Sequence, residues 1–85
     1  MTPLEIPLTE VGCTQGYQKV VYAKDQPEYI PLPVISDGNK VITKWKLTKE
    51  EFEEVAITSE IYLELLTFGQ PPQPVKLSTN LEEVV

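Results

Sequence analysis

The spacing of hydrophobic and polar positions predicts three strands and one helix in the first two thirds of the chain. Tyr17-Gln-Lys-Val-Val-Tyr-Ala23 mixes aromatic and β-branched residues with weak alternation, which predicts a strand ended by Lys24-Asp25-Gln26-Pro27. Tyr29-Ile-Pro-Leu-Pro-Val-Ile35 is apolar, and Pro31 and Pro33 stand at positions of one parity. Their missing N–H groups face the same way, so this stretch is predicted as an edge strand. Ser36-Asp-Gly-Asn39 is a turn sequence suited to positive φ, and a hairpin from 29–35 to 40–47 follows from it. Alternation over 40–47 assigns Val41, Thr43, Trp45 and Leu47 to a core face and Lys40, Ile42, Lys44 and Lys46 to a basic one.

Thr48 is read as an N-cap, with Glu51 closing a capping box and Leu47 positioned to staple against Phe52. Phe52, Val55 and Ala56 then form a short apolar stripe, and Ile57-Thr58-Ser59 ends a helix over about 48–57 that packs on the sheet. Residues 60–68 fit both periods; Ile, Tyr, Thr and Phe, with Gly69-Gln-Pro-Pro behind them, favour a strand. Gln70-Pro-Pro-Gln-Pro74 reads as extended, Val75-Lys-Leu77 as a last short strand, and 79–85 as an acidic tail. Residues 1–16, with Pro3, Pro7, Gly12 and Gly16, read as an extended arm or edge strand. The expected whole is a single α+β domain over 1–85: a small, mainly antiparallel sheet of four to five strands, one short helix on it, and loosely held ends at 1–11 and 79–85.

Composition narrows the chemistry mainly by what it lacks. The chain has 85 residues, enough for one small core, and 7 Lys against 13 Asp plus Glu, a net charge of −6 that disfavours general nucleic-acid binding. All the cations are Lys, so no guanidinium fork is available for phosphate or guanine. With no His, the commonest general base and metal ligand is missing. Cys13 is the only cysteine, which precludes an intrachain disulfide and fits a turn residue better than a nucleophile. No apolar run has signal-peptide or membrane length, so a cytoplasmic protein without membrane contact, cofactor, metal or enzymatic activity is expected.

Three clusters remain as candidate binding chemistry. Lys40, Lys44 and Lys46, with Lys49 nearby, can meet an anion; alternatively they form a solvated face paired with acids such as Glu64. Lys24, Gln26 and Tyr29 bring a cation, an amide and a ring into one loop. Gln70 and Gln73 follow Gly69, which permits close backbone approach. The ligand site expected from these is Lys24, Gln26, Tyr29, Gln70 and Gln73, with Lys44 and Lys46 countering charge. Glu50/Glu51 and Glu53/Glu54 point outward around a helix and read as solubility rather than as an acid–base pair.

Three segments carry a family resemblance: 21–33 (Val-Tyr-Ala-Lys-Asp-Gln-Pro-Glu-Tyr-Ile-Pro-Leu-Pro), Trp45-Lys-Leu-Thr48, and 61–74 (Ile-Tyr-Leu-Glu-Leu-Leu-Thr-Phe-Gly-Gln-Pro-Pro-Gln-Pro). Together they resemble a family of small proteins encoded by tailed phages and prophages, over roughly residues 12–78. Relatives of that kind show a more basic helix and a Thr-Gly turn, where this chain has an acidic helix and Thr58-Ser59. The resemblance implies a phage genome context and brings no catalytic motif. Two functions are expected from it and from the missing catalytic residues. One is a non-enzymatic anti-defence accessory, a homo-oligomer that sequesters a small nucleotide-like signal. The other is a minor virion or assembly protein that contacts host or phage proteins.

Overall fold

The computed structural model describes residues 1–8, 12, 14–22 and 31–85. Its elements are β1 (Thr2–Leu4), β2 (Gln18–Tyr22), β3 (Leu32–Ser36), β4 (Val41–Ile42), β5 (Lys44–Lys46), α1 (Lys49–Thr58) and a 3-10 turn at Leu81–Glu83. This is a small α+β fold in which every strand pairing is antiparallel. The strands divide into two sheets, β1–β5 and β2–β3–β4, where the alternation alone suggests one.

The 36–39 turn forms as expected. Asp37 Oδ1 accepts from the backbone N–H groups of Asn39 and Lys40, both at 2.8 Å, and Gly38 takes the positive φ of 98° that a residue without a Cβ tolerates. The returning strand then breaks at Thr43. Only Val41 and Ile42 pair with β3, while Lys44–Lys46 turn to pair with β1. Consequently β3 is the central strand of its sheet and not an edge. Because β4 reaches only Ile35 and Ser36, one side of β3 is uncovered at Pro33, where no ladder partner needs its missing N–H.

This register also decides the core, and it exchanges Val41 and Ile42 between the faces expected of them, while Lys40, Lys44 and Lys46 are exposed as expected. Ile42 stands opposite Ile35, which is fully buried, and directly opposed residues share a face. Ile42 is therefore drawn into the core, and Val41 is left 54% exposed. Trp45 belongs to the other sheet and is 47% exposed, its indole N–H donating to Thr43 Oγ1 at 2.9 Å, so it is not a core residue. The buried cluster is Ile6, Ile35 and Ile42, with Tyr17, Leu81, Val84 and Val85 packed against it; Val34 is buried too. Within the acidic 79–85 stretch, Asn80 caps the 3-10 turn by accepting from the Glu82 N–H at 3.0 Å. That turn aims Leu81 and Val84 at the core.

Helix α1 starts where the capping box places it: Glu51 N–H donates to Thr48 Oγ1 at 3.1 Å, and Thr48 N–H to Glu51 Oε1 at 2.9 Å. Ser59, in the left-handed region at φ 56°, ends it by donating its N–H to Val55 O at 2.8 Å. The helix does not cover a sheet face as expected. It buries no residue, and Phe52 is exposed, because four glutamates in its first two turns leave too narrow an apolar stripe to displace water. Its tie to the rest of the chain is ionic: the Met1 ammonium lies 2.8 Å from Glu51 Oε1. The strands expected at 60–68 and 75–77 are not formed either. Both stretches lack ladder partners.

The Met1 ammonium and then the Thr48 N–H hold the Glu51 carboxyl below its ordinary value of 4.5. A carboxyl depressed in the folded state contributes stability that is present above 4.5 and lost as pH falls through its lower folded value. Helix α1 is therefore expected to fray in acid before the sheets do. The protection of the Glu51 and Phe52 amides, taken relative to intrinsic exchange at each pH, should fall below pH 4.5, and Thr48→Ala, which removes a cap of about 1 kcal/mol, should reproduce that loss at neutral pH without moving the global unfolding midpoint.

Candidate functional site

Lys44 and Lys46 stand on one face of β5, opposite Leu4 and Thr2 of β1. Two residues of strand rise separate them by roughly 7 Å, so one polyanionic group can reach both. Both are exposed, and among the described residues neither ammonium makes an ion pair or hydrogen bond; in particular Glu64 does not pair with them. Lys40 differs, since its Nζ donates to the Val84 carbonyl at 3.4 Å and helps pin the 79–85 stretch.

Gln70 and Gln73 lie in the exposed 59–80 stretch, after a turn in which Phe68 and Gly69 both take positive φ and the Gln70 N–H donates to Thr67 O at 3.0 Å. No hydrogen bond joins either glutamine to Lys44 or Lys46. Lys24, Gln26 and Tyr29 lie outside the described residues, as does Cys13. Among the described members of the expected site, Lys44 and Lys46 share a face of β5.

Two concave places are found among the described residues. A cleft lined by Ile6, Lys19, Val21 and Pro33 has a volume of about 10 Å³, the size of one water. A wider recess of about 240 Å³ opens between Gly16, Gln18, Ser36 and Asp37, below the roughly 300–1,000 Å³ of ligand pockets. Asp37 also makes it hostile to anions. The backbone N–H groups of Lys40 and Asn39 keep its carboxyl ionised to below its ordinary value of 3.8. The described residues include no group of three or more His, Cys, Asp or Glu able to hold a metal, and no helix long and apolar enough to cross a membrane.

What periodicity did not reveal is the most conspicuous surface feature. Ile61, Tyr62, Leu63, Leu65, Leu66 and Phe68 are all exposed, Tyr62 at 91% and Phe68 at 89%. From 61 to 68 no backbone N–H finds an acceptor among the described residues. The signal for this in the sequence is the ambivalence of 60–68 between two periods, with apolar side chains on both faces and only Glu60, Glu64 and Thr67 among them polar. Contiguous apolar surface of this kind marks a contact site.

Comparison with family models, with curated proteins and with solved structures finds no match for this chain.

Proposed function

We propose that this chain is a non-enzymatic accessory protein of phage or prophage origin, active in the cytoplasm of the host, that works through protein–protein contacts in virion assembly. The observation that carries the reading is the unpaired apolar stretch 61–68, whose side chains have no function in the protomer's own core. The resemblance to phage proteins supplies the setting. The test is mass spectrometry of particles banded from a lysate of the phage or lysogen encoding the chain. Its presence at a fixed ratio to the major capsid protein is expected, and its loss on banding would remove the virion reading.

The unpaired Lys44 and Lys46 favour a second reading, in which the protein sequesters a small nucleotide-derived anion across subunits to blunt host defence. Lys24, Gln26, Tyr29, Gln70 and Gln73 would then complete the site. A ligand at 100 times its dissociation constant adds about 2.7 kcal/mol, which raises the unfolding midpoint of a domain this size by roughly ten degrees or more. A thermal-shift panel of cyclic nucleotides and ADP-ribose derivatives should show such a shift for one class, lost in Lys44→Ala/Lys46→Ala. A flat panel would dismiss this second reading.

A further inference from the structure

We infer that residues 78–85 form a strap that closes on one side of the hydrophobic cluster and opens as a unit of its own, while the paired strands beneath it stay folded. Opening uncovers the side of the Ile6, Ile35 and Ile42 cluster on which Leu81, Val84 and Val85 rest when the strap is closed.

The closed state follows from how the segment folds on itself. The Asn80 cap starts the 3-10 turn, and the N–H groups of Val84 and Val85 both donate back to the Leu81 carbonyl, at 3.1 and 3.2 Å. Ser78 Oγ donates to Glu83 Oε2 at 2.6 Å, and Lys76 Nζ to the Glu83 carbonyl at 2.6 Å, which ties the polar side of the turn to the residues just before it. Glu82 and Glu83 are thereby left exposed, and half-buried Leu81, Val84 and Val85 meet the cluster. A turn with its acids outward and three apolar side chains together has one surface to hide from water, and the cluster is where it hides it.

What holds the strap differs from what holds the strands. Among the described residues, every backbone N–H of 78–85 that finds an acceptor finds it within the segment, and no ladder joins the segment to a strand. The hydrogen bond that reaches it from the sheet is that of Lys40 Nζ to the Val84 carbonyl, and at 3.4 Å it is longer than the roughly 2.7–3.2 Å of ordinary N–H···O bonds. By contrast, β2, β3 and β4 are joined by ladders. Residues 60–77, which lead into the strap, contribute no ladder and no buried residue, so the strap can lift without pulling a strand. Half-buried contacts, local hydrogen bonds and a slack connection are the properties of segments that open without global unfolding.

Native-state hydrogen exchange of the full chain over a series of low urea concentrations tests this. A single turn has no stability of its own off the core, so the amides of Glu83, Val84 and Val85 report strap opening, and those of the β2–β3 ladder report the strands. The strap amides are expected to be protected, yet to exchange at least about tenfold faster than the ladder. Their exchange should depend little on urea, because little surface is uncovered. Leu81→Asp supplies the second measurement. A carboxylate is not held against an apolar cluster, so the strap amides should lose their protection while the ladder keeps at least about tenfold protection over free peptide. Strap amides that exchange no faster than the ladder, or that follow its urea dependence, overturn the inference, as do strap amides without protection in the unaltered chain. So does a Leu81→Asp variant that leaves the strap protected, or one whose ladder is unprotected as well.

Discussion

Ile35→Ala is expected to remove between two fifths and all of the protein's stability at 25 °C. Ile35 is the most deeply buried side chain, with no exposed surface, and it sits between Ile6 and Ile42 at the centre of the cluster. Removing three of its four side-chain carbons costs the transfer free energy of those carbons plus that of the cavity they leave, together about 2–5 kcal/mol. Collapse into the cavity is limited, because β3 is held on both sides at this residue, by Lys19 of β2 and Ile42 of β4. A domain of this size has a total stability on the order of 5 kcal/mol, so the loss is comparable to the whole. Urea unfolding followed by circular dichroism, with wild type and variant at the same protein concentration, reads it directly. Ile35→Val, which removes one methyl group, should cost only about 1 kcal/mol. If both variants unfolded at the wild-type midpoint, the core would not lie at the β3–β4 pairing.

The second large effect is a contrast. Ile42→Ala is expected to cost about 2–4 kcal/mol, whereas Trp45→Ala, despite deleting the largest side chain in the sequence, should cost about 1 kcal/mol or less. The difference follows from exposure: 9% for Ile42 and 47% for Trp45, whose one polar contact is a local bond to Thr43. Thermal unfolding of the two variants side by side is sufficient to separate them. A reversed order would restore the face assignment that simple alternation over 40–47 suggests.

That contrast also shows how far the sequence is legible. Alternation over 40–47 assumes one uninterrupted strand, and on that assumption Trp45 and Val41 share the core face. The break at Thr43 hands the second half to a different sheet, which no period within the segment reveals. The candidate site is legible only in part, for a related reason. Lys44 and Lys46 share a face because they are two apart on one strand. Whether Gln70 or Gln73 joins them depends on where a separate stretch lies in space, and no local rule specifies that. The exposed row at 61–68 is the same case in reverse: its composition says strand, and among the described residues it finds no ladder partner.

Local chemistry, complete within a few residues, determined several features from the sequence alone. Thr48 and Glu51 close a capping box wherever the helix sits, and Asp37 and Gly38 make their turn from bonds inside the turn itself. The lack of His, Arg and a second Cys removes whole classes of chemistry without reference to any fold. Tertiary structure alone decided which strands became neighbours, that Ile42 and not Trp45 entered the core, that α1 stayed exposed, and that 61–68 was left without a partner. The physical reason is the range of the forces involved. Caps and turns are satisfied by hydrogen bonds to residues two to four positions away, whereas burial depends on which distant surfaces can exclude water together, and that is settled only when the whole chain is in place.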